Sequence, residues 1–470
     1  MTSTTEHDAD VIAGYISRAR KAQQCIADYS QEQVDDLVKA VCWAVVRQDH
    51  AEQLARLAVD EGGFGNYQDK VTKIRNRCMG TLADILTVKT VGVVEEIPEK
   101  GLVKIAKPVG VVAALIPTTG PDATPPLKAL LALKGRNAIV VAAHPRTQKT
   151  TEYSVQLMRT ACEQVGAPAD LVQVIEKPSL AKTQRLMQLA DLIVATGGAA
   201  MVKAAYSSGT PAYGVGVGNA VHVVDETADL DDAANMIAAA KRHDHATSCL
   251  ADNAVVAQEA IYQTLLGKLR LAGGHLCSNE EKARLQALMW PDPAVHLPSV
   301  EVIAKSARHI AGLAGIQVPE QCTFLIVEEH GAGPDFPFSG EKLSPVLALY
   351  RYRDGIDKAI VQVNAITSYQ GQGHTCGIHT TNEAHAMALA LRTKTARVMV
   401  NQNLNEGAGS PRNGLPYTLS LSCGTWGGNI TTENVNARHM INLTWVSRPI
   451  APRTFDAETL FQSHWRKYSR

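Results

Sequence analysis

The chain has 470 residues, with 46 Lys and Arg balancing 46 Asp and Glu, and is 45% hydrophobic against 20% charged. At about 150 residues per domain, that length gives a prior of about three folding units and a sizeable buried core. The balanced charge, with no long basic run, excludes the electrostatic footprint of a nucleic-acid or anionic-membrane binder. No apolar run approaches the ~18 residues that a membrane span requires, and the polar, acidic start MTSTTEHDAD lacks the pattern of a secretory signal. Nine scattered cysteines without a C-x-x-C pair argue against a disulfide framework or a zinc ribbon. A cytoplasmic protein with neither nucleic acid nor membrane as partner is expected.

In chain order, residues 30–61 read as one long amphipathic helix, with Ser30 as N-cap, Gln33 closing a capping box, and Gly62-Gly63 as a stop. A second helix is expected over residues 69–86. From residue 109 short apolar runs alternate with helical patterns, at 109–116, 138–143, 171–175, 191–195 and 212–215. Strands separated by helices in this way are βαβ units and predict a parallel, doubly wound sheet. The sequence has no G-x-G-x-x-G joining a strand to a helix. The nearest match, Gly214-Val215-Gly216-Val217-Gly218, precedes another β-like run at 221–224 and reads as a loop in close approach to backbone or ligand. A second alternation from residue 252 predicts a second α/β unit. The apolar stretch 438–446 and residues 102–108 are expected to form a small two-stranded flap, of the kind that pairs with another subunit.

The richest chemical constellation is Lys241-Arg242-His243-Asp244-His245-Ala246-Thr247-Ser248-Cys249, where a helix ends and the second unit begins. Cationic and hydroxyl groups around a thiol favour the nucleophilic thiolate; a buried structural cysteine beside a solvated helix end is the other reading of the same residues. The stretch His374-Thr375-Cys376-Gly377-Ile378-His379 has metal-like spacing, but no second cluster supplies the remaining ligands and no metal is expected.

Several ordered motifs carry a resemblance: Ile116-Pro117-Thr118-Thr119-Gly120-Pro121, Ala143-His144-Pro145-Arg146, Ala195-Thr196-Gly197-Gly198, Cys249, Glu341-Lys342-Leu343-Ser344-Pro345-Val346, and Cys423-Gly424-Thr425-Trp426-Gly427-Gly428-Asn429. Together they resemble the aldehyde dehydrogenase superfamily, and within it the CoA-acylating branch. The His-Thr-Cys-Gly-Ile-His, Asn-Gly-Leu-Pro and Trp-Val-Ser-Arg-Pro-Ile segments are most similar to the acylating sulfoacetaldehyde dehydrogenases. The resemblance implies two doubly wound α/β domains plus a β flap for oligomerisation. Residues 1–240 would form the cofactor domain, with a flap strand near 98–108; residues 241–425 would form the catalytic domain, and 426–470 the flap and tail. It implies NADP or NAD as cofactor, CoA and a small aldehyde as partners, and a homodimer or homotetramer.

Carried over by position, the resemblance makes Cys249 the nucleophile and Thr119 a donor to the developing oxyanion. Glu341 would hold the nicotinamide ribose, Thr196, Gly197 and Gly198 the pyrophosphate, and His144 the adenosine ribose. The following loop, with Arg146 and Lys149 and no Asp or Glu before Glu152, predicts tolerance of a 2′-phosphate. Where hydrolytic relatives carry Glu-Leu-Gly-Gly-Lys, this chain reads Val215-Gly216-Val217-Gly218-Asn219, with valine in place of the water-activating glutamate. CoA is then expected to take the acyl group. Arg242, His243 and His245, helped by Arg412 and His374, are candidates to meet a short anionic tail, with sulfoacetaldehyde first and succinate semialdehyde second. The alternatives are an acylating acetaldehyde dehydrogenase, a hydrolytic enzyme, and a catalytically silent nucleotide-binding protein.

Overall fold

The computed structural model describes residues 2–292 and 294–468. The stretch expected as one helix over 30–61 is broken at Arg47 (φ −49°, ψ 140°) into helices Gln31–Val46 and Gln48–Gly62. Val34, Leu37, Val38, Val41 and Val45 are buried along the first helix. Continuing that stripe would call on Gln48, Asp49 and Glu52, whereas the buried face of the second helix is Ala51, Leu54, Ala55 and Ala58. The phase slip rotates the apolar face, and a break lets both helices face the core. The expected capping box is present, Gln33 N–H donating to Ser30 Oγ at 3.2 Å and Ser30 N–H to Gln33 Oε1 at 2.9 Å.

Strands β1 (Gly92–Ile97), β2 (Leu102–Pro108), β3 (Val111–Leu115), β4 (Ala138–Ala142), β5 (Val172–Val174), β6 (Leu192–Thr196) and β7 (Ala212–Val215) follow the helices. The last five form one sheet in the order β5-β4-β3-β6-β7, parallel throughout. Every residue of β3 and β4 is buried, as expected for a parallel sheet covered on both faces. Its order reverses between β3 and β6, the switch point at which such sheets open a crevice beyond their carboxyl ends.

Strands β8 (Val221–Val224), β9 (Ala254–Gln258), β10 (Gly274–Leu276), β11 (Phe324–Glu328), β12 (Val346–Tyr352), β13 (Gly373–His379) and β14 (Thr395–Val400) build the second sheet. Its order is β10-β11-β12-β9-β8-β13-β14. β8 pairs with both β9 and β13, and the helix Leu230–Arg242 packs Ala234 and Ile237 against Val255 and Leu347, so β8 and most of that helix join the second sheet although they precede residue 241. Strand β15 (Ile441–Ser447) pairs antiparallel with β2, which pairs with β1 on its other side. The flap therefore has three strands where the sequence pattern suggests two. Val435, Ala437 and Met440, just ahead of β15, pack into the core of the first unit.

Candidate active site

The carboxyl end of the first sheet faces the loop that carries Cys249 across a cavity of about 1740 Å³. Ten of the residues singled out in the sequence line it: Thr119, His144, Arg146, Thr196, Gly197, Gly198, Arg242, His243, Cys249 and Glu341. Lys149, His245, Arg412 and His374 do not.

The Cys249 loop is held by charge. Beyond the helix end at Arg242, Asp244, His245 and Ala246 have φ of 48°, 53° and 56°, three successive left-handed residues with side chains, a conformation that persists only where the surroundings impose it. Asp244 is fully buried and accepts hydrogen bonds from the Asn66 N–H (2.9 Å), Lys70 Nζ (3.1 Å), Lys73 Nζ (2.9 Å) and Thr247 Oγ1 (2.9 Å). Burial opposes its ionisation, but Lys73 and Lys70 prevail and hold its carboxyl down at about 2. A Cβ on Gly65 would stand 1.8 Å from Asp244 Oδ1, so the carboxylate occupies space that only glycine leaves free.

Cys249 itself is half-buried. It packs against an apolar cluster of Val215, Leu250, Ala408 and Leu421, so the position of the hydrolytic base is occupied by a hydrocarbon wall. Gly218 lies directly against it, with space for no side chain. The Gly218 N–H donates to Glu341 Oε1 at 3.1 Å. Burial pushes the Glu341 carboxyl up to about 8, and burial together with the Glu341 charge pushes the Cys249 thiol up. Asn253 ties the two loops together, its Nδ2 donating to the Ala251 carbonyl at 3.1 Å while its Oδ1 accepts from the Lys342 N–H at 2.9 Å.

The other side of the cavity fits a dinucleotide. Gly198 is the N-cap of helix Ala199–Tyr206 with no side-chain cap, and a Cβ there would meet nothing within 4 Å, so the first helical amides are left for a ligand. Thr196 Oγ1 is buried without a partner. Arg146 stacks over the Phe64 ring at 4.6 Å and Lys305 lies 5.7 Å from the same ring. The loop itself carries no carboxylate before Glu152, but one approaches it from elsewhere in the chain. Glu61 reaches across from helix Gln48–Gly62 and accepts from the Lys149 and Thr150 N–H groups, each at 2.8 Å, placing a negative charge at the start of helix Gln148–Gln164.

Among the residues considered for a substrate tail, His243 Nδ1 stands 3.5 Å from Asp69 Oδ1, and Arg412 is exposed and paired with Glu406. His245 sits in the strained turn, and His374 is fully buried beneath the site, pushed down to about 3 by burial and by Arg397. Cys376 is also buried, its Sγ 3.4 Å from Thr395 Oγ1. Two cations that sequence reasoning passed over do line the cavity, Lys73 and Arg77. Lys73 bridges Asp122 and Asp244 at 2.8 and 2.9 Å. Arg77 donates only to carbonyls, those of Asn405 (2.8 Å), Ala408 (3.1 Å) and Gly409 (2.6 Å). The signal was the spacing of Lys70, Lys73 and Arg77 along one face of helix Tyr67–Leu86.

Two parallel α/β units meeting at a cysteine-bearing cavity define the class, and residues 1–276 match the aldehyde dehydrogenase family; the chain belongs to that family. It is 45% identical to a sulfoacetaldehyde dehydrogenase of Acholeplasma sp. over 97% of this chain and 95% of that protein. It is 44% identical to the acylating sulfoacetaldehyde dehydrogenase of Bilophila wadsworthia, over 96% and 98% of the two chains. Among solved structures, an acetylating aldehyde dehydrogenase from Geobacillus thermoglucosidasius superposes with a TM-score of 0.92 at 34% identity, covering 96% of this chain and 99% of that one.

Proposed function

We propose that this chain is a CoA-acylating aldehyde dehydrogenase that oxidises sulfoacetaldehyde to its acyl-CoA, reversibly, through a thioester on Cys249. The observation that carries the reading is the wall around that thiol: Val215, Leu250 and Leu421 pack where a water-activating carboxylate would have to stand, so a bound acyl group is shielded from hydrolysis and left for a thiol to collect. Bound NADP or NAD supplies the hydride acceptor. The protein's part is to add the Cys249 thiolate to the aldehyde carbon and to offer the Thr119 hydroxyl and the Cys249 N–H to the oxygen as it gains charge. His144, Arg146, Thr196, Gly197, Gly198 and Glu341 would hold the dinucleotide, and the CoA thiolate releases the acyl group by exchange at the thioester carbon.

The sulfonate tail is supported by the relatives' names and by charge. Arg77 and Arg242 both line the cavity, and among the described residues neither has a carboxylate within ion-pair distance. Succinate semialdehyde, whose tail is also anionic, is the second reading. The chain is a homodimer or homotetramer in this proposal, assembled through the flap, where Leu443 and Trp445 of β15 are 43% and 54% exposed. Among the described residues no helix is long and apolar enough to cross a membrane, and a cytoplasmic location is the companion proposal. The test is a panel of sulfoacetaldehyde, succinate semialdehyde, acetaldehyde and butyraldehyde, with and without CoA, followed by NAD(P)H absorbance. Strict dependence on CoA with preference for the anionic pair is expected; turnover to the free acid without CoA would return the chain to the hydrolytic class.

A further inference from the structure

Strand β10 forms one edge of the second sheet, and three unlike donors gather at its end. His275, Cys277 and Glu281 bring an imidazole nitrogen, a thiol sulfur and a carboxylate oxygen to within 4.8 Å of one another, and among the described residues no other His, Cys, Asp and Glu side chains meet in threes this way. None of them lines the Cys249 cavity. The local structure explains the convergence. His275 and Cys277 are two residues apart on extended chain and so leave the same face, and the Cys277 N–H donates to the Ile326 carbonyl at 2.9 Å, keeping that chain in register with β11. Ser278 then caps helix Asn279–Met289 in a capping box, the Glu281 N–H donating to Ser278 Oγ at 3.2 Å and the Ser278 N–H to Glu281 Oε2 at 2.8 Å. A capping box folds this carboxylate back over the start of its helix. Here that brings Glu281 Oε2 to 3.4 Å from His275 Nε2.

These atoms suit a metal ion in geometry, in charge and in access. Tetrahedral zinc, with bonds of about 2.0–2.3 Å, sets its donors about 3.3–3.8 Å apart, a separation that His275 and Glu281 already have. Cys277 is 8% exposed, and among the described residues its sulfur has no hydrogen-bond partner. Glu281 pairs with no Lys or Arg among the described residues, its ion-pair partner being His275. Burial opposes the ionisation of Glu281, but the Ser278 N–H and His275 hold its carboxyl below the ordinary value. Burial, Glu281 and Cys322 push the Cys277 thiol up to about 12. A divalent cation reverses that field: the thiol proton leaves to solvent, and the sulfur binds the ion as thiolate. With its own proton on Nδ1, His275 offers the Nε2 lone pair to the same point. The His275 and Glu281 side chains are 21% and 19% exposed, so an ion can enter from solvent and a water can complete its coordination.

We propose that His275, Cys277 and Glu281 form a binding site for a thiophilic divalent cation of the zinc class, which ties edge strand β10 to helix Asn279–Met289. Imidazole and thiolate select such an ion over magnesium or calcium. The site is independent of the reading of Cys249 as nucleophile, and its test does not use turnover. The full chain, with its thiols reduced, is titrated with Co2+ as spectroscopic probe and then with Zn2+ as competitor. Co2+ is expected to produce a near-ultraviolet thiolate-to-cobalt charge-transfer band that saturates at one ion per chain and is lost on adding Zn2+. The band should persist in Cys249→Ala, whose missing thiol is the one in the cavity, and disappear in Cys277→Ser. Glu281→Gln retains the capping box, which accepts either residue, and His275→Gln changes a partly exposed side chain. Each should weaken Co2+ binding by about tenfold or more. A wild-type chain without the band, a band lost in Cys249→Ala or kept in Cys277→Ser, or an affinity unmoved by both Gln variants would overturn the site. The wild-type and Gln measurements decide the matter even where Cys277→Ser fails to fold.

Discussion

Gly218 and Cys249 are in backbone contact: a Cβ on Gly218 would stand 2.4 Å from the Cys249 carbonyl oxygen and 2.5 Å from its Cβ. The Gly218 N–H is at the same time the group that holds Glu341, so one glycine sets the distance between the thiol and the carboxylate. Displacing reacting groups by about 1 Å can cost about a hundredfold in rate. Gly218→Ala is expected to lower kcat about a hundredfold with far-UV circular dichroism unchanged, and near-wild-type kcat would show that the contact relaxes without consequence.

Cys249→Ala should abolish turnover, because among the described residues no other thiol lines the cavity, while nucleotide binding measured by calorimetry stays near wild type. Cys376→Ala should keep most of its activity, since that thiol is enclosed between β13 and β14 against Thr395. The reverse result would move the nucleophile to the His-Thr-Cys-Gly-Ile-His segment.

Glu341 makes stability depend on pH in a defined direction. Its carboxyl is pushed up to about 8 in the folded chain from an ordinary 4.5. Between those values the folded protein holds a proton that the unfolded chain has released, so its contribution to stability is present below 4.5 and is lost as pH rises through 8. Glu341→Gln cannot titrate. Melting temperatures of the two proteins should be similar near pH 5, with the Gln variant gaining on the wild type by pH 8.5; a constant difference across that range would contradict the burial argument.

Cofactor choice should be divided between Arg146 and Glu61. A charge-assisted hydrogen bond to a 2′-phosphate is worth about 1.5–3 kcal/mol, or roughly 10- to 150-fold. Arg146→Ala is therefore expected to shift the ratio of NADP to NAD dissociation constants against NADP by about that factor. Glu61→Gln should shift it the other way, because a negative charge at the start of that helix is removed. Ratios unmoved by either substitution would take both residues out of the ribose site.

The substrate tail can be assigned in the same manner. Arg77→Ala and Arg242→Ala should each lower kcat/KM for sulfoacetaldehyde by about tenfold or more and leave that for acetaldehyde within about threefold, the difference between losing a charged contact and losing none. Arg412→Ala is expected to leave both values close to wild type, because that side chain is paired with Glu406 and does not line the cavity. Equal losses for charged and neutral aldehydes would remove the anion-binding assignment without touching the acylating mechanism.

What the sequence determined by itself was everything written in local pattern or in fixed order. The alternation of buried apolar runs and helices returned most strands to within a few residues, β7 at Ala212–Val215 among them, because strand period and burial are local properties. The Val215-Gly216-Val217-Gly218-Asn219 motif, set beside the hydrolytic pattern it resembles, also carries valine where that pattern has glutamate. Tertiary structure alone decided relations between residues distant in the chain. It placed β8 in the second sheet, since pairing partners at 254 and 373 cannot be read from four apolar residues. It set Glu61 on the helix at 148, put Arg77 into the cavity while turning Arg412 out of it, and left Arg397 buried among neutral oxygens. Charge in a folded chain acts through space over a few ångströms, and sequence order carries no measure of that distance.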